Sequence, residues 1–189
     1  LEACLGIDAA LVKRGYQVRW RLISKAIPES AWFTQTLAAR GIQERFRLDG
    51  LIPHDQIAQE VVSAKVGLIP LPDLPKFRNN IPRKLFEFMA LGMPVVLSDL
   101  APSRPFVGDG VCALLVLPGD YDAYAEAIIR LLDDPELRCK MGAEGRRRVE
   151  QVYNWEQESH KLLDLYAELL GTFNVERRTL NVARRTAFA

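Results

Sequence analysis

What this chain lacks narrows what it does. Its three cysteines, Cys4, Cys112 and Cys139, are far apart and odd in number. They form neither a disulfide framework nor a metal-ligand spacing, and they fit thiols buried in a reducing compartment; the expected location is the cytoplasm. No apolar run approaches the ~18 residues of a membrane-spanning helix. No signal-peptide pattern is visible. Lys and Arg number 25 against 24 Asp and Glu, a formal net charge of +1, so no field gathers nucleic acid as a partner. The Gly-x-Gly-x-x-Gly fingerprint is missing, which argues against a nicotinamide or flavin cofactor. There is no internal repeat and no low-complexity tract.

What is present suits a packed α/β domain. The 189 residues, 49% of them hydrophobic, make one domain or one and a half with a full core. The chain begins at Leu1, without methionine and inside a helical pattern that runs to Arg14, and reads as a fragment or an excised domain. Apolar runs near Trp20, Arg47, Leu68, Val96 and Leu115 predict five strands. Between them the spacing predicts helices over 29–40, 56–64 (capped by Asp55) and 121–132 (capped by Asp120), with a short one after Ser103. Helices over 136–152 and 155–170 follow, while 71–78 reads as a loop rich in proline and charge. Strands alternating with helices imply a parallel sheet covered on both faces, a Rossmann-like three-layer α/β sandwich. Ligands then sit at the strands' carboxyl ends.

The informative stretch is Asn79 to Asp99. It reads as a loop capped by Asn79 and Asn80, a helix with Pro82 in its first turn, a stop at Gly92-Met93-Pro94, and the buried strand Val95-Val96-Leu97. The helix is apolar nearly all round, so it is expected to be buried. Only Arg83, Lys84 and Glu87 are polar. Two readings compete for them: a helix-stabilising ion pair of Glu87 with Arg83 or Lys84, or a site. In the site, free N–H groups and Lys84 hold a phosphate while Glu87 accepts hydrogen bonds from a sugar diol.

Pro82-x-Lys84-x-x-Glu87 followed by Ala90-Leu91-Gly92-Met93-Pro94-Val95-Val96 resembles the donor-site signature of group-1 glycosyltransferases with the GT-B fold. The resemblance continues through Leu115-Val116-Leu117-Pro118-Gly119-Asp120, Ala127-Ile128-Ile129-x-Leu131-Leu132, Trp155 and Tyr166. It implies that residues 1–170 are the C-terminal, donor-binding lobe of a two-lobed enzyme, lacking its first strand. The implied partners are a nucleoside-diphosphate sugar and an N-terminal acceptor lobe of the same protein. The implied reaction is sugar transfer to an acceptor without a metal or other cofactor; no paired aspartates of the metal-binding kind are seen. Catalytic groups are expected in the other lobe, and this chain alone is expected to be inactive.

The same resemblance points to Gly50 and Ile52, whose turn would touch the nucleotide base, and to Asn79, Asn80, Ile81, Lys84 and Glu87 around the diphosphate and sugar. Lys25 and Arg83 are secondary candidates. Asn79 stands where many members carry glutamate, which puts the sugar's identity in question. Against the donor reading stand a catalytically inactive nucleotide- or partner-binding lobe and a sugar-nucleotide epimerase on a similar fold. His54 reads as a surface loop residue and Arg146-Arg147-Arg148 as a charged helix face. The 171–189 tail is basic, with Arg177, Arg178, Arg184 and Arg185, and is expected to be a poorly ordered terminus. It is also a candidate for peripheral contact with an anionic membrane.

Overall fold

The computed structural model describes residues 1–24, 30–108 and 110–170. Lys25, the predicted helix start at Glu29 and the 171–189 tail lie outside the described residues. Contacts divide the chain into two compact units, 1–149 and 150 onward.

In the first unit the five predicted strands are all present: β1 Trp20–Ile23, β2 Phe46–Asp49, β3 Gly67–Ile69, β4 Val95–Ser98 and β5 Ala113–Val116. Every pairing is parallel. They form two ladders, β1-β2 and β3-β4-β5, rather than one continuous five-stranded ladder. One apolar core nevertheless runs beneath both, since Trp20 and Phe46 of the first ladder cluster with Val96 and Val116 of the second.

The helices are α1 Glu2–Lys13, α2 Ala31–Ala39, α3 His54–Val61, α4 Pro75–Arg78, α5 Arg83–Ala90, α6 Arg104–Val107, α7 Tyr121–Asp133 and α8 Pro135–Gln151. α1 buries Ile7 and Leu11 completely and is tied to α7 by Arg14, which reaches Asp122 at 2.5 Å and Glu126 at 3.1 Å. α7 starts as predicted, with the Asp120 carboxylate accepting from the Ala123 N–H at 2.9 Å.

Three local readings need correction. Asp55 does not cap α3: the helix begins at His54 with Pro53 at its N-cap, and Asp55 falls in the first turn, where its charge suits the helix dipole. Residues 71–78 contain α4, because Pro75 opens a helical turn as readily as it breaks one. α5 is not buried all round; Leu85 and Met89 are buried, Phe86, Glu87 and Phe88 half-buried, and Arg83, Lys84 and Ala90 exposed. The second unit carries the predicted last helix, α9 Trp155–Leu170.

Candidate functional site

The predicted site residues within the described chain lie beyond the carboxyl end of a strand. Gly50 and Ile52 occupy the turn after β2 and are half-buried, with Leu51 between them 82% exposed. Asn79, Asn80 and Ile81 link α4 to α5 and are exposed, as are Arg83 and Lys84 in the first turn of α5. Glu87, one turn on, is half-buried.

Close packing fixes α5. Leu85 and Met89 have no exposed surface. Phe88 lies against Gly67 of β3 so closely that a Cβ there would meet its ring at 2.6 Å. Phe86 meets Phe106 edge-on, ring centres 5.1 Å apart. Behind the helix, Gly92 turns the chain with φ +65°, and α8 passes so near that a Cβ on Gly142 would strike the Gly92 carbonyl. Only a glycine allows that approach.

The charges around α5 sort into committed and uncommitted. Arg78 chelates Asp73 at 2.6 and 3.0 Å, which holds that carboxyl below its ordinary pKa. Arg104 likewise makes two bonds to Asp99, at 2.6 and 2.9 Å. Among the described residues, the side chains of Arg83, Lys84 and Glu87 make no ion pair or hydrogen bond. The helix-stabilising pair that competed for them in the sequence is therefore not formed. No side chain caps α5, whose N-cap is Pro82. Asn79 ends α4 instead, and the Asn80 N–H bonds to the Phe77 carbonyl at 3.4 Å. An uncapped helix start presents free N–H groups, and with two cations beside it such a start can receive an anion. A carboxylate one turn further can accept from hydroxyls.

The structure thus brings Asn79 to Glu87 together on one loop and helix. It does not join them to the Gly50–Ile52 turn, which belongs to the other ladder; among the described residues no hydrogen bond or ion pair links the two groups. A cleft of about 570 Å³ also opens at the carboxyl ends, lined among others by Leu1, Trp32, Pro70, Leu71 and Tyr124, and none of the predicted residues lines it. His54 is exposed in the first turn of α3. Arg147 and Arg148 clasp Glu144 at 2.7 and 2.9 Å; their hydrogen bonds pull its pKa to about 2. This is the charged helix face expected of that run.

Cys4 and Cys112 are buried as expected, but Cys139 is exposed, because it sits on the outer side of α8. Among the described residues no His, Cys, Asp and Glu cluster of the kind that holds a metal occurs, and no helix is long and apolar enough to cross a membrane. Sequence reasoning missed two buried polar clusters, Asp8–Trp20–Arg45 and Leu71–Ser98–Tyr124. The only advance signal was a Tyr at apolar helical spacing with Ile128 and Leu131, and an Asp amid the apolar positions of α1.

The family model described as "Glycosyl transferases group 1" matches residues 6–134. The chain is 30% identical over 156 residues to the MMP alpha-(1->4)-mannosyltransferase of Mycolicibacterium hassiacum, covering 82% of this chain and 36% of that one. Among solved structures it resembles the sucrose-phosphate synthase of Thermosynechococcus elongatus, with TM-score 0.75 and 26% identity over 88% of this chain and 42% of that one. It also shares the fold of the Anabaena protein HepE, solved in complex with UDP, with TM-score 0.72 and 17% identity over 86% of this chain and 44% of that one. The chain spans well under half the length of these proteins.

Proposed function

The chain belongs to the group 1 glycosyl transferases, with a lobe of the GT-B type, and on that premise we propose that it is the donor-binding lobe of an enzyme that moves a sugar from a nucleoside-diphosphate sugar to an acceptor. The uncapped start of α5 and the Lys84 ammonium, with Arg83 beside it, hold the diphosphate. Glu87 accepts hydrogen bonds from the ribose hydroxyls. The main chain around Ile52, in the turn that begins at Gly50, touches the base, and Asn79, Asn80 and Ile81 border the sugar. Transfer leaves charge on the departing diphosphate, and fixed N–H groups and cations stabilise it without a metal. The observation that carries this reading is the selective freedom of Arg83, Lys84 and Glu87 beside two arginines already tied to carboxylates.

The same reading makes 1–170 a C-terminal lobe whose sheet takes one further strand, between β1 and β3. Support comes from the pairing that stops there although one core lies beneath both ladders. The cleft at that place, between the start of α1, Trp32 of α2 and the Pro70–Pro72 loop, supports it too. The acceptor site and the catalytic groups then belong to a second lobe. Cytoplasmic placement completes the proposal, with the basic 171–189 segment a candidate for contact with an anionic membrane.

Lys84→Ala tests it. UDP binding by calorimetry is expected to weaken about tenfold or more, since a charge-assisted contact is worth roughly 1.5–3 kcal/mol, while uridine binding stays as it was. Equal losses for UDP and uridine would remove Lys84 from the phosphate site. A folded wild-type chain that binds no nucleoside diphosphate would overturn the donor reading.

A further inference from the structure

At the carboxyl end of β4, two hydroxyls sit in an otherwise apolar core. Ser98 is 2% exposed and Tyr124 of α7 is 1% exposed. Ser98 Oγ lies 2.5 Å from the Leu71 carbonyl and 2.7 Å from Tyr124 Oη. A carbonyl only accepts, so the single Ser98 proton goes to Leu71. Ser98 then offers Tyr124 a lone pair alone, and the tyrosine must be the donor. The protons run one way, from Tyr124 to Ser98 to Leu71, and so from α7 through β4 to the loop after β3.

That loop is the one that delivers Asn79, Asn80 and Ile81 to the start of α5. It has little else to hold it. Pro72 to Lys76 and Arg78 to Ile81 are exposed, and only Leu71, Phe77 and Pro82 are half-buried. Its backbone bonds are local, such as Leu74 N–H to the Pro72 carbonyl at 2.9 Å and Arg78 N–H to the Leu74 carbonyl at 3.2 Å. Three prolines, Pro72, Pro75 and Pro82, narrow its conformations without anchoring it. The end of the loop next to β3 is the half-buried Leu71, and its carbonyl is what the relay grips. Phenylalanine and alanine would fill the same space without burying two hydroxyls, a cost that goes unrecovered unless the hydroxyls bond.

We propose that Ser98 and Tyr124 are positioning residues for the donor site: acting in series, they hold the Leu71 end of the loop, and through it the Asn79–Ile81 segment and the first turn of α5. The proposal rests on the donor reading above for its functional half and on the hydroxyl geometry for its structural half. Burial of Tyr124 pushes its pKa up to about 12; the phenol stays protonated, and a donor, at any pH the protein meets.

The test uses the chain itself with Tyr124→Phe, Ser98→Ala and the double variant, each read by amide hydrogen exchange, urea melting and calorimetric titration with UDP and with uridine. Tyr124→Phe keeps the ring and is expected to melt cooperatively. Exchange at Leu74, Phe77, Arg78 and Asn80 should quicken by roughly three- to tenfold, the worth of one neutral hydrogen bond. The β4 and β5 amides should keep the wild-type exchange rate. UDP should bind more weakly by a similar factor and uridine unchanged. Because the two hydroxyls act in series, the double variant should match Ser98→Ala rather than multiply the single effects. Unchanged loop exchange in both single variants overturns the relay, whatever UDP does. A loosened loop with wild-type UDP affinity overturns the donor role alone. If the wild-type chain binds no nucleoside diphosphate, the donor reading fails and the donor role with it, while exchange still decides whether the hydroxyls anchor the loop.

Discussion

The two ladders of this lobe are built by different means. In β1-β2, only Trp20 and Phe46 are buried; their rings stack 5.7 Å apart, with Phe33 edge-on to Phe46 at 5.9 Å. Charge holds the rest. Arg21 spans Asp49 at 2.6 Å and Glu60 of α3 at 2.5 Å, and also donates to the Glu60 carbonyl. Below the strands, Asp8 of α1 accepts from Trp20 Nε1 at 2.9 Å and Arg45 Nη2 at 2.6 Å. In β3-β4-β5 all four residues of β4 are buried, and glycines let α5 and α8 close in. The proposed phosphate end of the site rests on this second, close-packed base, which transmits position because it has no room to yield. The proposed base-binding turn rests on the first, whose position depends on ion pairs finding their geometry.

Breaking the first ladder at its buried charge should have the largest effect. Asp8 is 3% exposed, and nothing among the described residues accepts from Arg45 Nη1. Asp8→Ala would strip the guanidinium of its carboxylate and Trp20 of its acceptor. A buried pair broken on one side costs about 3–5 kcal/mol. Urea melting should show that loss, and hydrogen exchange should show Trp20–Ile23 and Phe46–Asp49 opening before β3, β4 or β5. Equal loosening of both ladders would erase the distinction.

The second ladder should break through volume rather than charge. Gly142→Ala places a Cβ against the Gly92 carbonyl, which is backbone and cannot swing aside. Overpacking of that kind costs about 1–3 kcal/mol. The loss should show at pH 7 by urea melting, should not change with salt, and should quicken exchange in α5 and β4. A neutral effect would mean that α8 moves away without cost.

The division between ladders also explains what could be read in advance. All five strands and the large helices were legible, because apolar runs such as Val95-Val96-Leu97 and periodic sets such as Ile128 with Leu131 record burial directly. The family was legible through the order of motifs from Pro82 to Val96. Charge partnership was not. Nothing in the sequence says that Arg78 and Arg104 are spent on Asp73 and Asp99 while Arg83 and Lys84 are spared, since that depends on where loops from different strands meet. Nor does spacing reveal that Asp8 is buried, because its partners Trp20 and Arg45 arrive from two other elements. Hydropathy hid the break between β1 and β3, since it marks a strand and not its neighbour, although the resemblance had implied a missing first strand.

The smallest effect sharpens the comparison most. Burial works against the Asp49 carboxylate, yet hydrogen bonds from Arg21 and Arg47 outweigh it and hold its pKa below the ordinary 3.8. A carboxyl depressed in the folded state stabilises the fold above its unfolded pKa, and that contribution is lost as pH falls through the folded value. Asp49→Asn keeps the shape and some hydrogen bonding but removes the charge. At pH 7 the variant should be less stable by roughly 1 kcal/mol, the scale of a partly exposed ion pair. As pH drops below about 3.8 the unfolded chain takes up its proton first, and the gap should narrow until the folded carboxylate, held lower, is protonated too. Glu144, held at about 2 on α8, titrates alike in both proteins and lies outside the Asp49 network, so its contribution cancels in the difference. Urea melts of the two proteins at steps from pH 7 to pH 3 supply the curve. A gap that stays constant over that range would show that Asp49 acts by shape, and the first ladder would then be held by packing, as the second is.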